Sequence, residues 1–356
     1  MELKDICQYV SDRVATTSLS TSNYISTENM LPNKGGVVIA NGLPVGNAVA
    51  FAKDDVLVSN IRPYFKKIWQ ANKNGGCSAD VLCFRKNENV DNKYFYYLLS
   101  QQSFFDHMML GSKGCKMPRG DKKQIMNWSF DLPSLEEQKR IADILSSLDS
   151  KIELNRRIND NLEQQAQAMF KSWFVENASY SGVSISEYFL PNRGKNLLVS
   201  DAKGGKTPVV AGGLTPSAFH NVANTKAPVI TISASGANAG FVNLWGIPVW
   251  AADSSYIDST IVSNIYFWYN LLKYNQKNIY ESQTGSAQPH IYPKHIGNLL
   301  IPDLDMRKVE CYESIVTSMY LQINEIQQET KLLTDLRDTL LPKLMSGELK
   351  INDLNC

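Results

Sequence analysis

The sequence predicts an α+β protein in which two strand-rich α/β domains are separated by two long helices that pair as an antiparallel coiled coil. Three observations lead to this fold class. One helical stretch lies in the middle of the chain, a second lies near its C-terminal end, and a weak internal repeat relates the first half to the second. A repeat that contains a domain and a helix, present twice, predicts a molecule with a pseudo-two-fold axis.

The middle helix is predicted to begin at Ser134. Ser134 and Glu137 have the spacing of a capping box, and the stretch from Ser134 to Phe174 contains neither proline nor glycine. Apolar residues recur there at alternating steps of four and three, which is the coiled-coil period. The predicted seam positions are Ile141, Leu145, Leu148, Ile152, Leu162 and Met169. A helix of this length needs a second helix to cover its seam.

The second helix is predicted from about Asp305 to Leu341, with Pro342 as its stop. A shift of 171 residues superposes five positions of the first seam on apolar residues of the second. These are Val316, Met319, Ile323, Leu333 and Leu340. Asn155 and Asn159 lie near the middle of the first seam, where polar residues can fix the register of a coiled coil. The alternative is a locally hydrated stretch without that role.

Short apolar runs bounded by Gly, Pro, Asn and Asp predict strands on both sides of the middle helix. A shift of 173 places Val56 on Val229 and Asp80 on Asp253, and a shift of 174 places Gly111 on Gly285. Chance alignment of generic apolar patterns is the alternative to a repeat. The predicted divisions are a first domain at 1–133, a helix at 134–178, a second domain at 179–303, and a helix with its tail at 304–356.

Composition bounds the function only loosely. The chain has 36 basic and 35 acidic residues, and a net charge of +1 argues neither for nor against a nucleic-acid partner. Six cysteines without a C-x-x-C pair are typical of free thiols in a reducing compartment. The N-terminal residues lack the apolar region of a signal peptide, and no apolar run is long enough to span a membrane. We therefore expect a cytoplasmic protein.

The sequence offers no catalytic constellation. Residues 204–207 (GGKT) are reminiscent of a phosphate-binding loop, but its first glycine is replaced by Ser200. His290 and His295 have no cysteine or carboxylate nearby to complete a metal site. No metalloprotease, calcium-loop or nucleophile-elbow motif occurs, nor does a methyltransferase motif. We predict no catalytic residues, no metal and no cofactor, and hence a protein that is not itself an enzyme.

Two similar domains at a fixed separation suit a pseudo-symmetric ligand such as double-stranded DNA. The loop at 111–123 is rich in glycine and basic residues, and the stretch at 285–294 is its counterpart. Cations on such turns can hold phosphates, and polar side chains can reach base edges. The candidate DNA-binding residues are Arg62, Lys66, Lys67, Lys113, Lys116, Arg119, Ser235, Asn238, Gln283, Ser286, Gln288 and His290. The alternative is that both loops are solvated connections.

Residues 132–174 closely resemble the central conserved region of the DNA-specificity subunits of type I restriction–modification systems. Residues 336–349 (LRDTLLPKLMSGEL) resemble the end of the second conserved region of that family. The resemblance implies that each domain is a target-recognition domain for half of a bipartite DNA site, and that the helices set the spacer. It also implies that methyltransferase subunits dock on the chain, that restriction subunits join them, and that these partners perform the chemistry. A coiled-coil adaptor without DNA specificity of its own is the competing interpretation.

Overall fold

The computed structural model of the chain describes residues 1–114, 116–176, 178–285 and 288–351. It divides into two compact units. Unit 1 comprises Met1–Ile152 together with the chain from Leu332 onward, and unit 2 comprises Glu153–Lys331. Each unit contains strands, short helices and part of both long helices. The fold class is the predicted one, with helix and sheet in both units.

Within its described residues, unit 1 contains two four-stranded sheets. Its strands are β1 (Cys7–Tyr9), β2 (Arg13–Ala15), β3 (Tyr24–Ile25), β4 (Asn47–Phe51), β5 (Val56–Ser59), β6 (Ile68–Gln70), β7 (Gly75–Cys77) and β8 (Val81–Lys86). The first sheet has the order β1-β8-β5-β6 and is antiparallel throughout. The second has the order β2-β4-β7-β3, with β3 and β7 parallel. Strand β5 lies between β8 and β6 in the first sheet, and it is buried along its whole length.

Short helices pack on these sheets: α1 (Asn92–Leu99), α2 (Gln102–Leu110) and α3 (Lys122–Ile125). The Asp91 carboxylate accepts the backbone N–H groups of Lys93 and Tyr94 and so caps α1, as its position in the sequence suggests. Asp121 caps α3 in the same way. Because α3 begins at a fixed cap, the loop that precedes it is anchored at its C-terminal end.

Unit 2 repeats this plan of strands followed by short helices. The strands are β9 (Asn192–Arg193), β10 (Thr207–Val210), β11 (Ala218–His220), β12 (Val229–Ser233), β13 (Val242–Trp245), β14 (Trp250–Ala251) and β15 (Ser254–Asp258). The main sheet has the order β13-β12-β15-β9 and is antiparallel, and a three-stranded sheet has the order β11-β10-β14. The helices are α5 (Ile265–Tyr274), α6 (Gln276–Glu281) and α7 (Pro293–Gly297).

The two long helices are α4 (Leu135–Phe174) and α8 (Met306–Met345). Each begins where the sequence predicts. The Ser134 hydroxyl accepts the backbone N–H of Glu137 at 3.3 Å, and the Asp305 carboxylate accepts that of Arg307 at 3.0 Å. Between them, α4 and α8 contribute to the cores of both units.

The predicted stop of the second helix at Pro342 is wrong, because α8 continues through it to Met345. A proline removes a single backbone N–H donor, and its fixed φ is compatible with a helix. Leu341, Leu344 and Met345 are buried in the core of unit 1. Their burial therefore holds the last turn in place on both sides of the proline.

Contacts within each unit bring α4 and α8 together. In unit 1, the Arg337 guanidinium lies 2.7 Å from the Asp149 carboxylate. In unit 2, Asn155 bonds to Glu329 at 2.7 Å, and the Tyr312 hydroxyl donates to the carbonyl of Ala166 at 2.9 Å. Residue numbers rise along α4 as their partners' numbers fall along α8, so the two segments are antiparallel.

Every predicted seam residue is buried or half-buried. Ile141, Leu145, Val316 and Ile323 are buried, whereas Leu148, Ile152, Leu162, Met169, Met319, Leu333 and Leu340 are half-buried. The pattern missed Phe170 and Phe174, which are more deeply buried than their predicted neighbour Met169. Near its C-terminal end, α4 packs against α5 as well as α8, so the buried face is wider than a two-helix seam.

Candidate nucleic-acid interface

A tight loop at 113–119 closes on itself in unit 1. The backbone N–H of Lys113 donates to the carbonyl of Arg119 at 2.9 Å, and the return bond measures 3.0 Å. Gly114 has φ +99°, a conformation that an L side chain would strain. Arg119 also forms a β-bridge with Ile61, just beyond strand β5. We call residues 113–114 and 116–119 the first loop; its base is fixed to the sheet.

A loop of the same construction occurs at 284–290 in unit 2. Thr284 and His290 exchange backbone hydrogen bonds of 3.0 and 2.8 Å, and Gly285 has φ +93°. His290 also forms a β-bridge with Ser235, just beyond strand β12. We call residues 284–285 and 288–290 the second loop. The two units therefore present one loop each, built from the same bonds.

The closing bonds correct the predicted register of the repeat at these loops. Gly285 corresponds to Gly114, a shift of 171, and not to Gly111 as the Gly-Ser match had indicated. Gly111 instead ends α2 as its C-cap, with φ −93°. Matching by residue identity failed here because the hydrogen bonds, rather than the Gly-Ser pair, define the loop.

Two cations of the first loop form ion pairs at its surface. The Arg119 guanidinium lies 3.0 Å from the Asp80 carboxylate, and the Lys113 amine lies 3.8 Å from that of Asp121. The Arg119 and Lys113 side chains are 56% and 86% exposed. Lys116 is also exposed. Because exposed ion pairs contribute little free energy, these cations can exchange their partners for phosphates at small cost.

The three cations predicted to bind DNA after β5 have different surroundings. Arg62 and Lys66 flank a short 3₁₀ helix at Pro63–Phe65. Lys67 donates from its amine to the carbonyl of Thr27 at 2.6 Å, and burial lowers the pKa of this amine. The structure thus gives Lys67 an internal bond. Arg62 adjoins the first loop through a backbone bond to Pro118, whereas the carbonyl of Lys66 accepts the backbone N–H of Lys34.

The predicted DNA-binding residues of unit 2 also differ in their surroundings. Ser235 bonds to Asp253, Asn238 donates to the carbonyl of Gly212 at 3.4 Å, and Gln283 donates to that of Ala239 at 2.7 Å. These bonds shape the neighbouring turns. Gln288 is exposed on the second loop, and the His290 ring stacks on Tyr292 with centroids 6.1 Å apart. Ser286 lies outside the described residues.

Sequence reasoning missed the carboxylates that support the loops. The backbone N–H of Asn60 donates to the carbonyl of Asp80 at 2.8 Å, and that of Ala234 donates to Asp253 at 3.1 Å. The carboxylates then hold Arg119 in unit 1 and Ser235 in unit 2. The repeat already superposed Asp80 on Asp253. That superposition was a signal for equivalent positions, although it could not show that both lie beneath a loop.

Within residues 1–114, 116–176, 178–285 and 288–351, no group of three or more His, Cys, Asp or Glu side chains is arranged to hold a metal ion. Among the same residues, none of the helices has the length and apolar character needed to cross a membrane. The described cysteines, Cys7, Cys77, Cys83 and Cys311, are free thiols. Cys115 and Cys356 lie outside the described residues.

Comparison with known proteins finds similarity to one family of proteins. Residues 1–164 match the model of the type I restriction modification DNA specificity domain. The chain is 30% identical over 223 residues to the type I restriction enzyme HindI specificity subunit of Haemophilus influenzae, a match that covers 58% of this chain and 47% of that relative. The chain spans about half the length of this relative.

Two further comparisons extend over most of the chain. The MjaIX specificity subunit of Methanocaldococcus jannaschii is 23% identical over 321 residues, covering 75% of this chain and 71% of that relative. The crystal structure of the type I restriction–modification S subunit from M. genitalium has a TM-score of 0.58 at 21% identity. It covers 97% of this chain and 95% of that one. The second likeness shows that the chain has the fold of that S subunit over nearly its whole length.

We expect a variant with Lys113→Gln, Lys116→Gln and Arg119→Gln to bind duplex DNA more weakly than the unaltered chain. The slope of log affinity against log salt should fall by up to about one for each phosphate that these cations no longer neutralise. Fluorescence anisotropy over a salt series measures both quantities. Lys73→Gln, Lys139→Gln and Lys277→Gln together remove the same charge from other exposed positions. Equal slopes in the two triple variants would count against the first loop.

Proposed function

We propose that this chain is a non-catalytic DNA sequence-recognition subunit. It reads a bipartite duplex target and directs the methyltransferase and restriction subunits of a type I restriction–modification complex to it. The observation that carries the proposal is the pair of loops. The first and second loops share their closing bonds and their bridge to the sheet, yet they present different side chains.

Identical frames with different side chains suit the reading of two unlike half-sites. At equivalent positions, the first loop has Arg119 and the second has His290. An arginine can form a bidentate contact with guanine, or it can hold a phosphate. A histidine and the neighbouring Gln288 offer both donors and acceptors to a base edge. On this proposal each unit is one target-recognition domain, and the two half-sites differ in sequence.

The long helices supply the remaining parts of the proposal. They carry exposed leucines that neither core uses: Leu154, Leu321, Leu332 and Leu336. Apolar side chains at such exposed positions suit contacts with a protein partner. We place the methyltransferase subunits on these helices, with the restriction subunits joining that assembly. Methyl transfer and cleavage then belong to the partners, and the length of α4 and α8 sets the spacer between half-sites.

Methylation-site sequencing of cells that carry this chain with its methyltransferase subunit tests the proposal. We expect one bipartite motif with a fixed spacer. Arg119→Ala should relax the sequence requirement in one half of the motif, and His290→Ala with Gln288→Ala should relax it in the other. Methylation that needs the chain but shows no sequence motif would instead support the adaptor interpretation. A gel shift in the presence of the methyltransferase subunit then distinguishes the two functions directly.

A further inference from the structure

The turn at Pro63–Phe65 has an unusual backbone on both sides. Arg62, which precedes the 3₁₀ helix, has φ 51°, and Lys66, which follows it, has φ 50°. Both residues are in the left-handed region, which side chains other than glycine rarely occupy. Such a conformation persists only where the surrounding structure holds it in place, and it is common at ligand-binding segments.

The same turn presents two aromatic rings to solvent. Tyr64 is 48% exposed and Phe65 is 38% exposed, and their ring centroids are 4.7 Å apart. Pro63 is buried, and the carbonyl of Phe65 accepts the backbone N–H of Asn33 at 2.8 Å. The backbone is therefore anchored while both rings face outward, which is the arrangement expected of a contact surface rather than of a core.

The aromatic pair lies beside the first loop. Ile61 bridges Arg119, and the backbone N–H of Arg62 donates to the carbonyl of Pro118 at 2.8 Å. The exposed cations of the first loop, Lys113 and Arg119, complement a phosphate backbone. Exposed aromatic side chains next to such cations are the combination with which proteins stack on bases or insert between base pairs.

The described residues of unit 2 include no counterpart of this pair at the equivalent turn. The second loop bridges Ser235 where the first loop bridges Ile61. The residues that follow Ser235 are Gly236, Ala237, Asn238 and Ala239, so the turn corresponding to Pro63–Phe65 carries no aromatic ring. Whatever the rings contact should therefore be contacted by unit 1 alone.

We propose that Tyr64 and Phe65 form a wedge that inserts at one base step of the duplex, in the half-site read by unit 1, and partly unstacks that step. The proposal rests on the proposed function and adds an asymmetry to it, because the half-site read by unit 2 stays fully stacked. The exposed cations of the first loop hold the phosphates next to the opened step.

The test uses the full chain with its methyltransferase subunit and duplexes of its methylation target. Each duplex carries a single mismatch, moved one position at a time through the site. Insertion of a wedge costs less free energy at a base step that a mismatch has already disrupted. The ratio of the affinity of the unaltered complex to that of the Tyr64→Ala, Phe65→Ala complex should therefore peak at one step. The ratio cancels any weakening of base readout, because both proteins suffer it equally.

On fully paired DNA, the double variant should bind about tenfold or more weakly than the unaltered complex. The peak should lie in the half-site whose sequence requirement is relaxed by Arg119→Ala. Tyr180→Ala, which removes an exposed ring of unit 2, should leave both the affinity and the mismatch profile unchanged. A Tyr64→Leu, Phe65→Leu variant keeps apolar bulk at the turn and should retain part of the peak.

A flat ratio across all positions would overturn the wedge while leaving DNA recognition intact. The wedge would also be overturned if the alanine variant failed to assemble with the methyltransferase subunit while the complexes that did form bound DNA as tightly as the unaltered complex. The rings would then be a contact for the partner protein. If the unaltered complex binds no duplex selectively, the proposed function itself fails, and this outcome is distinguishable from the other two.

Discussion

Inserting one helical turn of four residues into both α4 and α8 is expected to lengthen the recognised spacer by about one to two base pairs. Four residues add about 6 Å to each helix, and duplex DNA rises about 3.4 Å per base pair. Both helices belong partly to each unit, and the boundary between the units falls after Ile152 in α4 and before Leu332 in α8. The bases of the two half-sites should stay unchanged, because neither loop is altered.

The insertion must be made in both helices, after Asn159 in α4 and after Glu325 in α8. An insertion in α4 alone would shift its later residues by a turn relative to α8. The bond between Tyr312 and the carbonyl of Ala166 would then break, and much of the packing around it would be disrupted. Matched insertions keep these partners level, and coiled coils accommodate four-residue insertions by a local unwinding.

Methylation-site sequencing measures the spacer directly. The same four residues placed after Gly42, in an exposed loop of unit 1, should leave the spacer as it is and so provide the control. A matched helix insertion that still methylates both half-sites at the original spacing would show that the helices do not determine the distance.

The long helices could be predicted because their signals are repeated and local. Ser134 caps α4 as expected, and the seam positions recur over many turns, so that errors at single positions average out. The continuation of α8 through Pro342 could not be predicted. It depends on the burial of Leu344 and Met345 in the core of unit 1, and that core forms from residues far away in the sequence.

The candidate site was only partly predictable for the same physical reason. The basic character of the first loop is visible in the sequence, but the direction of each cation is not. The partner of Lys67 is the carbonyl of Thr27, 40 residues away, and that of Arg119 is Asp80. Likewise, no local pattern distinguishes the exposed rings of Tyr64 and Phe65 from the aromatic residues that fill the cores. Such orientations follow from tertiary contacts.

Replacing Phe170 by alanine is expected to have the largest effect on stability of any single substitution considered for unit 2. Phe170 is 1% exposed. Its ring centroid lies 5.5 Å from that of Phe174, 5.7 Å from that of Phe267 and 6.1 Å from that of Tyr312. These rings belong to α4, α5 and α8, so the side chain packs where three helices meet. Truncating a buried phenylalanine to alanine typically lowers the free energy of unfolding by about 3–5 kcal/mol.

Hydrogen exchange of the α5 amides reports this destabilisation locally, which matters because a chain with two units need not unfold in one step. The α5 amides should exchange faster in Phe170→Ala, while those of α1 in unit 1 keep their protection. Leu154→Ala is the matched control on the same helix, since Leu154 is 51% exposed and its removal should change stability by no more than about 0.5 kcal/mol. Equal protection of α5 in the two variants would mean that the aromatic cluster does not hold unit 2 together. If α5 loosens as expected, Phe170→Ala should also weaken recognition of the half-site read by the second loop, because the frame of that loop is built on the same unit.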